Sequence, residues 1–233
     1  MNSVFIIYFA GIDGTGKTTL ARYLFDELRK RNYNVQYIHW LNGENSQLRR
    51  FLRRIIKSRC PRLASYPNGS NTTTKRSTPF ITKIFLVAYP TTVLLDYLRF
   101  GMIKLWLPKT IGRNKVIVLD RYMYDVILAI SKEFHFSDSR KKKLLDVFSK
   151  LLPHMDLIFY IDVPPEVSYI RKKDEIKSVQ KAKSIWEDYQ NFYPLLRELT
   201  SGKTVKIDNT GEIGIAKAEV LKNALGVLEE LSS

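Results

Sequence analysis

Eight residues near the start of the chain have the types and spacing needed to bind phosphate. Positions 11–18 read GIDGTGKT and match the pattern G-x-x-x-x-G-K-[ST]. Gly11 and Gly16 let the backbone turn its N–H groups toward phosphate oxygens without a Cβ in the way. The lysine neutralises β- and γ-oxygens, and the threonine hydroxyl completes a magnesium shell. The pattern predicts a nucleoside triphosphate site made by Gly11, Ile12, Asp13, Gly14, Thr15, Gly16, Lys17, Thr18 and Thr19.

A second group of candidates, Asp120 and Arg121, ends the apolar segment 115–120. A carboxylate at the carboxyl end of a buried parallel strand lies where open α/β sheets bind ligands. If this strand lies beside the strand that precedes the phosphate-binding loop, Asp120 faces the magnesium ion or the attacking oxygen. Arg121 is then placed to clamp an acceptor phosphate with two hydrogen bonds. We therefore predict Lys17, Asp120 and Arg121 as catalytic residues, and Thr18 and Asp120 as ligands of the metal.

Three further residues are candidates for binding the acceptor. Asp125, one helical turn beyond Arg121, faces the acceptor cleft or orients that arginine, and the sequence leaves both roles open. Asp96 and Arg99 are spaced i, i+3 on a mostly apolar helix, where they line the acceptor pocket or form an ion pair within the helix.

Short apolar runs alternate along the chain with longer helical patterns. The runs predict strands at 4–10, 35–40, 115–120, 157–162 and 204–208. Helices are predicted at 18–31, 45–58, 80–107 with a division near Pro90, 122–133, 138–151, 165–200 with an interruption, and 212–231. This alternation indicates βαβ units and a parallel sheet. We predict one α/β domain, residues 1–233, with an insertion at about 42–79 and a lid at about 165–183.

The charge of the chain favours anionic partners. Its 233 residues include 38 Lys and Arg against 23 Asp and Glu, a formal net charge of +15. Seven of these basic residues lie in segment 49–62, whose apolar and basic faces are typical of a solvated helix without the aromatics of a single-strand binder. We therefore do not expect nucleic acid as a specific partner. The alternative kept open is a nucleotide-regulated protein that binds nucleic acid through 49–62 and loop 65–79.

Composition also predicts where the protein works. The single cysteine, Cys60, excludes an intrachain disulfide framework and a cysteine-based zinc site, and favours a reducing compartment. The longest charge-free run of the most apolar region, 84–95, is shorter than the roughly 20 residues that span a membrane. We expect a soluble cytoplasmic protein. The apolar stretch 80–107 packs in the core or forms the face of a homodimer.

Three blocks of the sequence resemble one known family. Segment 9–19, FAGIDGTGKTT, resembles the opening of the thymidylate kinases, and Asp120-Arg121-Tyr122 is similar to their DRY motif. Segment 156–166, DLIFYIDVPPE, followed by Arg171, is similar to the strand and PE…R stretch that opens their LID. The resemblance implies a three-layer P-loop fold with a five-stranded parallel sheet flanked by helices. It also implies transfer of a phosphoryl group from MgATP to a nucleoside monophosphate, with dTMP (giving dTDP) as the first expectation.

The resemblance assigns roles to the matched residues. Lys17 would hold the transferring phosphate, Thr18 the metal, and Asp13 the acceptor sugar or its phosphate region. Arg121 would bind the acceptor phosphate, and Arg171 would close over the ATP phosphates. Some members carry an arginine inside the loop where this chain has Gly14. The stabilising charge would then come from cations of the LID, namely Arg171 with Lys172, Lys173 or Lys177.

The chain departs from the family where the family holds thymidine. Segment 39–43, HWLNG, stands in place of an Arg-Glu-Pro-Gly element, and segment 96–99, DYLR, replaces an Asp-Arg pair. The resemblance therefore indicates phosphoryl transfer more firmly than it indicates the base of the acceptor. A kinase of the same scaffold with a different small acceptor remains the alternative.

Overall fold

The computed structural model describes residues 4–39, 91, 95, 98, 103, 105, 115–133, 136–174, 176–199 and 202–230. The strands are β1 (Val4–Ala10), β2 (Val35–His39), β3 (Lys115–Asp120), β4 (Leu157–Asp162) and β5 (Lys203–Asp208). The helices are α1 (Lys17–Lys30), α2 (Met123–Glu133), α3 (Asp138–Leu151), α4 (Pro165–Arg171), α5 (Val179–Leu199) and α6 (Ile213–Glu230). The predicted insertion at 42–79, the helix at 45–58 within it, and Asp96 and Arg99 lie outside the described residues.

The five strands form one parallel sheet in the order β2-β3-β1-β4-β5. β1 lies at the centre and is buried along its whole length, as its unbroken apolar sequence predicts for a strand covered on both faces. The predicted α/β fold with a five-stranded parallel sheet is confirmed. In particular, β3 pairs directly with β1, and Phe9 lies opposite Asp120.

Helices cover both faces of the sheet, so the molecule has three layers. On one face, α1 and α6 pack against residues of β1, β3 and β4 such as Ile7, Val118 and Phe159. On the other face, α2, α3 and α5 pack against alternate residues of the same strands, including Tyr8 and Tyr160. Side chains alternate between the faces because successive residues of a strand point in opposite directions.

The parallel arrangement brings the carboxyl ends of all strands to one edge of the sheet. The loop after β1, the turn after β3, the start of α4 after β4 and the turn after β5 therefore converge there. Among the described helices, none has the length and apolar character that a membrane crossing requires.

Candidate active site at the carboxyl edge of the sheet

The loop between β1 and α1 has a backbone that requires glycine. Gly11 and Gly16 have φ angles of 139° and 90°, in the region that side chains disfavour. A Cβ on Gly11 would overlap the carbonyl oxygen of Ile161, and one on Gly16 would lie 2.5 Å from Nδ2 of Asn209. The loop is thus closely packed by the ends of β4 and β5. Its turn leads directly into α1, which directs the positive end of the helix dipole at the loop.

Lys17 is the buried cation of this loop. Its side chain is 4% exposed, and Nζ donates to the carbonyl oxygen of Ile12 at 2.5 Å and lies 3.9 Å from Oδ1 of Asp13. Burial lowers the pKa of Lys17 to about 8, although the charges of Asp125 and Asp120 oppose this shift. At neutral pH the site therefore holds a charged ammonium with little solvation, which favours an incoming polyanion.

Two residues that the sequence did not single out support the loop. Nδ2 of Asn209 donates to the carbonyl oxygen of Thr15 at 2.7 Å, and Oγ of Ser168 donates to that of Asp13 at 2.5 Å. Both residues are buried. Asn209 directly follows β5, and Ser168 lies on the short helix after β4. The sequence could have indicated both residues, because polar residues just beyond the carboxyl ends of parallel strands lie at the same edge of the sheet.

Arg121 and the loop meet at one carboxylate. Nη2 of Arg121 donates to Oδ1 of Asp13, the same oxygen that faces Lys17. Arg121 has a φ of 71°, in the left-handed region that is uncommon for a residue with a side chain. With this backbone conformation at the end of β3, the guanidinium of Arg121 reaches Asp13. The structure thus brings together Asp13, Lys17 and Arg121, three of the residues that the sequence singles out.

Asp120 is completely buried beside them at the end of β3. Its Oδ2 accepts a hydrogen bond from the hydroxyl of Tyr37 at 2.8 Å and contacts Nδ1 of His39 at 2.8 Å. Burial, with the hydrogen bond to Asp120, raises the pKa of Tyr37 to about 12, so its hydroxyl remains a donor at neutral pH. Oδ1 of Asp120 is buried and has no hydrogen-bond partner among the described residues.

Asp120 and Thr18 fit a magnesium ion by their chemistry. A buried carboxylate oxygen without a donor is a hard ligand of the kind that Mg²⁺ prefers, and Thr18 adds a hydroxyl in the first turn of α1. The remaining ligands of such an ion are normally water and phosphate oxygens rather than further side chains. These two residues are therefore the ones that would hold the ion.

Asp125 lies in a cluster of tyrosines rather than open to a cleft. It is 4% exposed, and its carboxylate accepts from the hydroxyls of Tyr8 and Tyr189 at 2.8 and 2.5 Å and from the backbone N–H of Tyr122 at 2.9 Å. Both carboxylate oxygens are engaged. This favours the second of its two predicted roles, the orientation of Arg121, since Asp125 holds the backbone N–H of the next residue, Tyr122.

The LID segment reaches the loop through Lys172. A Cβ on Gly14 would lie 3.2 Å from Cγ of Lys172, so the stem of this lysine packs beside the loop. Its charge also contributes to lowering the pKa of Lys17. Arg171, at the end of α4, is exposed in this structure. Lys172 is thus a predicted LID cation that the structure brings against the loop.

A pocket of about 170 Å³ opens beside Asp13, between the loop and the start of α5. Most of its wall is apolar, with one acid and one lysine. Its lining residues are Ile12, Asp13, Ile176, Lys181, Ala182 and Ile185.

Comparison with known proteins places this geometry in a family context. No protein-family model matches the sequence. A thymidylate kinase of Fervidobacterium nodosum is 24% identical over 222 residues, which is 93% of this chain and 96% of that protein. The chain is thus similar to a thymidylate kinase over nearly its whole length. The crystal structure of thymidylate kinase from Ehrlichia chaffeensis has the same fold, with a TM-score of 0.56 and 18% identity over 95% of this chain and 99% of that one.

The similarity to thymidylate kinases extends over nearly the whole chain. Because both alignments cover more than nine tenths of the residues, they extend far beyond the loop at 11–18 that many nucleotide-binding proteins share. The resemblance to thymidylate kinases that the three sequence blocks indicate is thereby confirmed.

Proposed function

We propose that this protein transfers the terminal phosphoryl group of ATP to a nucleoside monophosphate, with dTMP as the first acceptor to test. The observation that carries the proposal is the junction at Asp13. There a donor-side cation, Lys17, and an acceptor-side cation, Arg121, meet the same carboxylate. Phosphoryl transfer requires that the donor and acceptor phosphates be held side by side with their charge neutralised, and two neighbouring cations can do this.

The cations act mainly by position and charge. Backbone N–H groups of the loop and the ammonium of Lys17 bind the β- and γ-phosphates and neutralise the charge that develops on them. Arg121 has five N–H donors, so it retains Asp13 with one and binds the acceptor phosphate with others. An acceptor phosphate oxygen then forms the new bond to the γ-phosphorus as the bond to the β,γ-bridging oxygen breaks, and ADP leaves.

The magnesium ion that accompanies ATP would be held by Thr18 and Asp120, and it would neutralise phosphate charge and fix the phosphate geometry. No strong general base is needed, because an acceptor monophosphate already presents an anionic oxygen. Asp13 is therefore free to orient Arg121 and the acceptor sugar rather than remove a proton.

The pocket beside Asp13 suits the nucleoside part of the acceptor. Its isoleucine and alanine side chains favour a weakly polar group, and Asp13 and Lys181 are the charged residues of its lining. The pocket is smaller than a whole ligand site, which typically has about 300–1,000 Å³. Only part of the acceptor would enter it.

The experiment is an assay of ADP formation from MgATP against a panel of nucleoside monophosphates that includes dTMP, dUMP and UMP. We expect turnover with at least one of them. Lys17→Ala should reduce kcat by about 10²–10³-fold or more, as removal of a transition-state donor does. Arg121→Ala should raise the KM of the acceptor by about 10–100-fold, the loss of a charge-assisted hydrogen bond, and leave the KM of ATP nearly unchanged.

Exposed residues of α1 provide matched controls. Lys30→Ala and Arg29→Ala remove the same charges from the last turn of α1, at the opposite end from the loop, and should leave both constants unchanged. ATP binding without turnover on any monophosphate would refute the proposed activity. An unchanged acceptor KM in Arg121→Ala would refute the role of that arginine.

A further inference from the structure

The two oxygens of the Asp120 carboxylate have unequal surroundings. Oδ2 has two neighbours at hydrogen-bond distance, the hydroxyl of Tyr37 and Nδ1 of His39, each at 2.8 Å. Oδ1 is buried and has no partner among the described residues. A buried carboxylate oxygen without a donor is rare in folded proteins and commonly indicates an ion or water that binds there.

Both donors to Oδ2 come from one side of Asp120. His39 lies opposite Asp120 in the parallel register, and Tyr37 is two residues earlier on the same face of β2. β2 and β1 flank β3 on opposite sides, and Phe9, two residues before the loop, lies opposite Asp120 on β1. The bonds from β2 therefore engage Oδ2, and Oδ1 is the oxygen left without a partner on a strand that borders the one leading into the loop.

These side-chain bonds are not needed to join the strands. β2 and β3 already form a continuous main-chain ladder from Val35 to His39. Instead, two donors on one oxygen fix the rotation of the carboxylate, as partners of metal-binding carboxylates do in other proteins. His39 contributes from Nδ1, so this contact also determines which ring nitrogen carries the proton.

We propose that His39 and Tyr37 are positioning residues for the magnesium ion: they hold Oδ2 of Asp120 so that Oδ1 is presented to the ion that accompanies ATP. The proposal rests on the proposed function, because the ion it concerns arrives with the phosphate donor. It assigns a role to His39, which opens the segment that departs from the thymidylate kinase pattern.

The test measures metal binding apart from turnover. Mn²⁺ serves as the probe, and its affinity for the complex of the enzyme with a non-hydrolysable ATP analogue is measured by electron paramagnetic resonance. The affinity of the enzyme for the same ATP analogue without metal is measured separately, in the presence of EDTA. We expect both His39→Leu and Tyr37→Phe to weaken Mn²⁺ binding, and the variant with the larger effect to weaken it by about 10–100-fold. The affinity of both variants for the ATP analogue in EDTA should stay within about twofold of wild type.

Rescue and control variants separate positioning from general damage. His39→Asn retains an N–H donor near the position of Nδ1 and should restore most of the Mn²⁺ affinity. Tyr33→Phe, just before β2, removes a hydroxyl outside the Asp120 cluster and should bind Mn²⁺ as wild type does. Tyr37→Phe keeps the ring, so it tests the proposal even if His39→Leu does not fold.

The outcomes distinguish this proposal from the proposed function. Unchanged Mn²⁺ affinity in folded His39→Leu and Tyr37→Phe would overturn it, whether or not dTMP is phosphorylated. Equal loss of analogue affinity with and without metal would also overturn it, because that pattern indicates a role in folding. If the variants bind Mn²⁺ more weakly but the wild type phosphorylates no monophosphate, the positioning role is supported and only the proposed acceptor is refuted.

Discussion

At the scale of single residues, Lys17 is buried at a cost to the stability of the nucleotide-free protein. A lysine that is 4% exposed gives up most of its hydration, and its contacts with Ile12 and Asp13 replace only part of it. The lowering of its pKa from 10.5 to about 8 corresponds to roughly 3 kcal/mol of folding free energy at neutral pH. Phosphates would supply the missing countercharge.

We predict that Lys17→Met makes the nucleotide-free protein more stable at pH 7. Methionine fills a similar volume without a charge, so the desolvation cost disappears, while the hydrogen bond to Ile12 is lost. The net gain in the free energy of unfolding should be about 1–3 kcal/mol. Urea unfolding of both proteins measures it, and MgATP, which should stabilise the wild type by mass action, should stabilise Lys17→Met far less.

The gain should depend on pH in a defined direction. The unfolded chain binds more protons at Lys17 than the folded chain between pH 8 and 10.5, so the stability contributed by this residue rises with pH across that window. The difference between wild type and Lys17→Met should thus be full below pH 8 and shrink toward pH 10.5. Taking the difference cancels the buried tyrosines, which both proteins share. A destabilised Lys17→Met at pH 7 would contradict the argument.

Sequence predicts these residues unequally, for a physical reason. The loop at 11–18 is contiguous, so its chemistry is readable from spacing alone. The partners of Asp120 cannot be read from spacing, because Tyr37 and His39 contact it only through the register of two strands about eighty positions apart in the chain. Asn209 is further still from the loop residue it binds, Thr15.

At the scale of elements, Asp125 joins three parts of the fold. Its carboxylate binds the backbone N–H of Tyr122 at the start of its own helix, α2, and the hydroxyls of Tyr8 on β1 and Tyr189 on α5. An acid in the first turn of a helix that binds the N–H of the residue before the helix is half of a capping box. The turn that carries Arg121 is therefore anchored both to the central strand β1 and to α5.

We predict that Tyr189→Phe lowers the free energy of unfolding by about 1–3 kcal/mol, because a buried hydrogen bond to a charged group is lost. Asp125→Ala should cost more, since it leaves two tyrosine hydroxyls and one backbone N–H without their acceptor. Urea unfolding of the single and double variants measures both effects and the coupling between them.

Tyr193→Phe is the matched control for this anchor. Tyr193 lies one turn further along α5, is partly exposed, and contacts the ring of Tyr160. Its hydroxyl should contribute less than about 0.5 kcal/mol, as is usual for exposed substitutions. Additive losses in Tyr189→Phe and Asp125→Ala would contradict direct coupling between the two side chains.

The positions of the strands and helices in the sequence were more predictable than the order of the strands in the sheet. All five strands agree with their apolar runs within a residue or so, and the expected interruption in 165–200 separates α4 from α5 at 172–178. The order β2-β3-β1-β4-β5 is not encoded in periodicity, because it depends on how whole helices pack over the sheet. The rule that ligands bind at the carboxyl ends of strands places Asp120 at the correct edge of the sheet. It left open whether β3 lies beside β1, which the structure shows.

At the scale of the whole molecule, the charge of +15 leaves one alternative to examine, a protein that binds nucleic acid under nucleotide control. Seven basic residues and no acid lie in 49–62, outside the described residues. If all seven contacted DNA phosphates, the logarithm of the affinity would fall with the logarithm of salt with a slope of about −6. Such binding would be electrostatic and independent of sequence.

We predict that duplex DNA binds more weakly than about 10⁻⁶ M at physiological salt, the range of non-specific binding. We do not expect MgATP to change this affinity, because the loop at 11–18 is proposed to bind ATP for catalysis. Fluorescence anisotropy of labelled DNA from 50 to 300 mM salt measures both properties, and replacing the basic residues of 49–62 by glutamine should flatten the slope without lowering kcat. Submicromolar binding that MgATP switches would instead favour the nucleic-acid alternative, since phosphoryl transfer to a nucleoside monophosphate does not require nucleic acid.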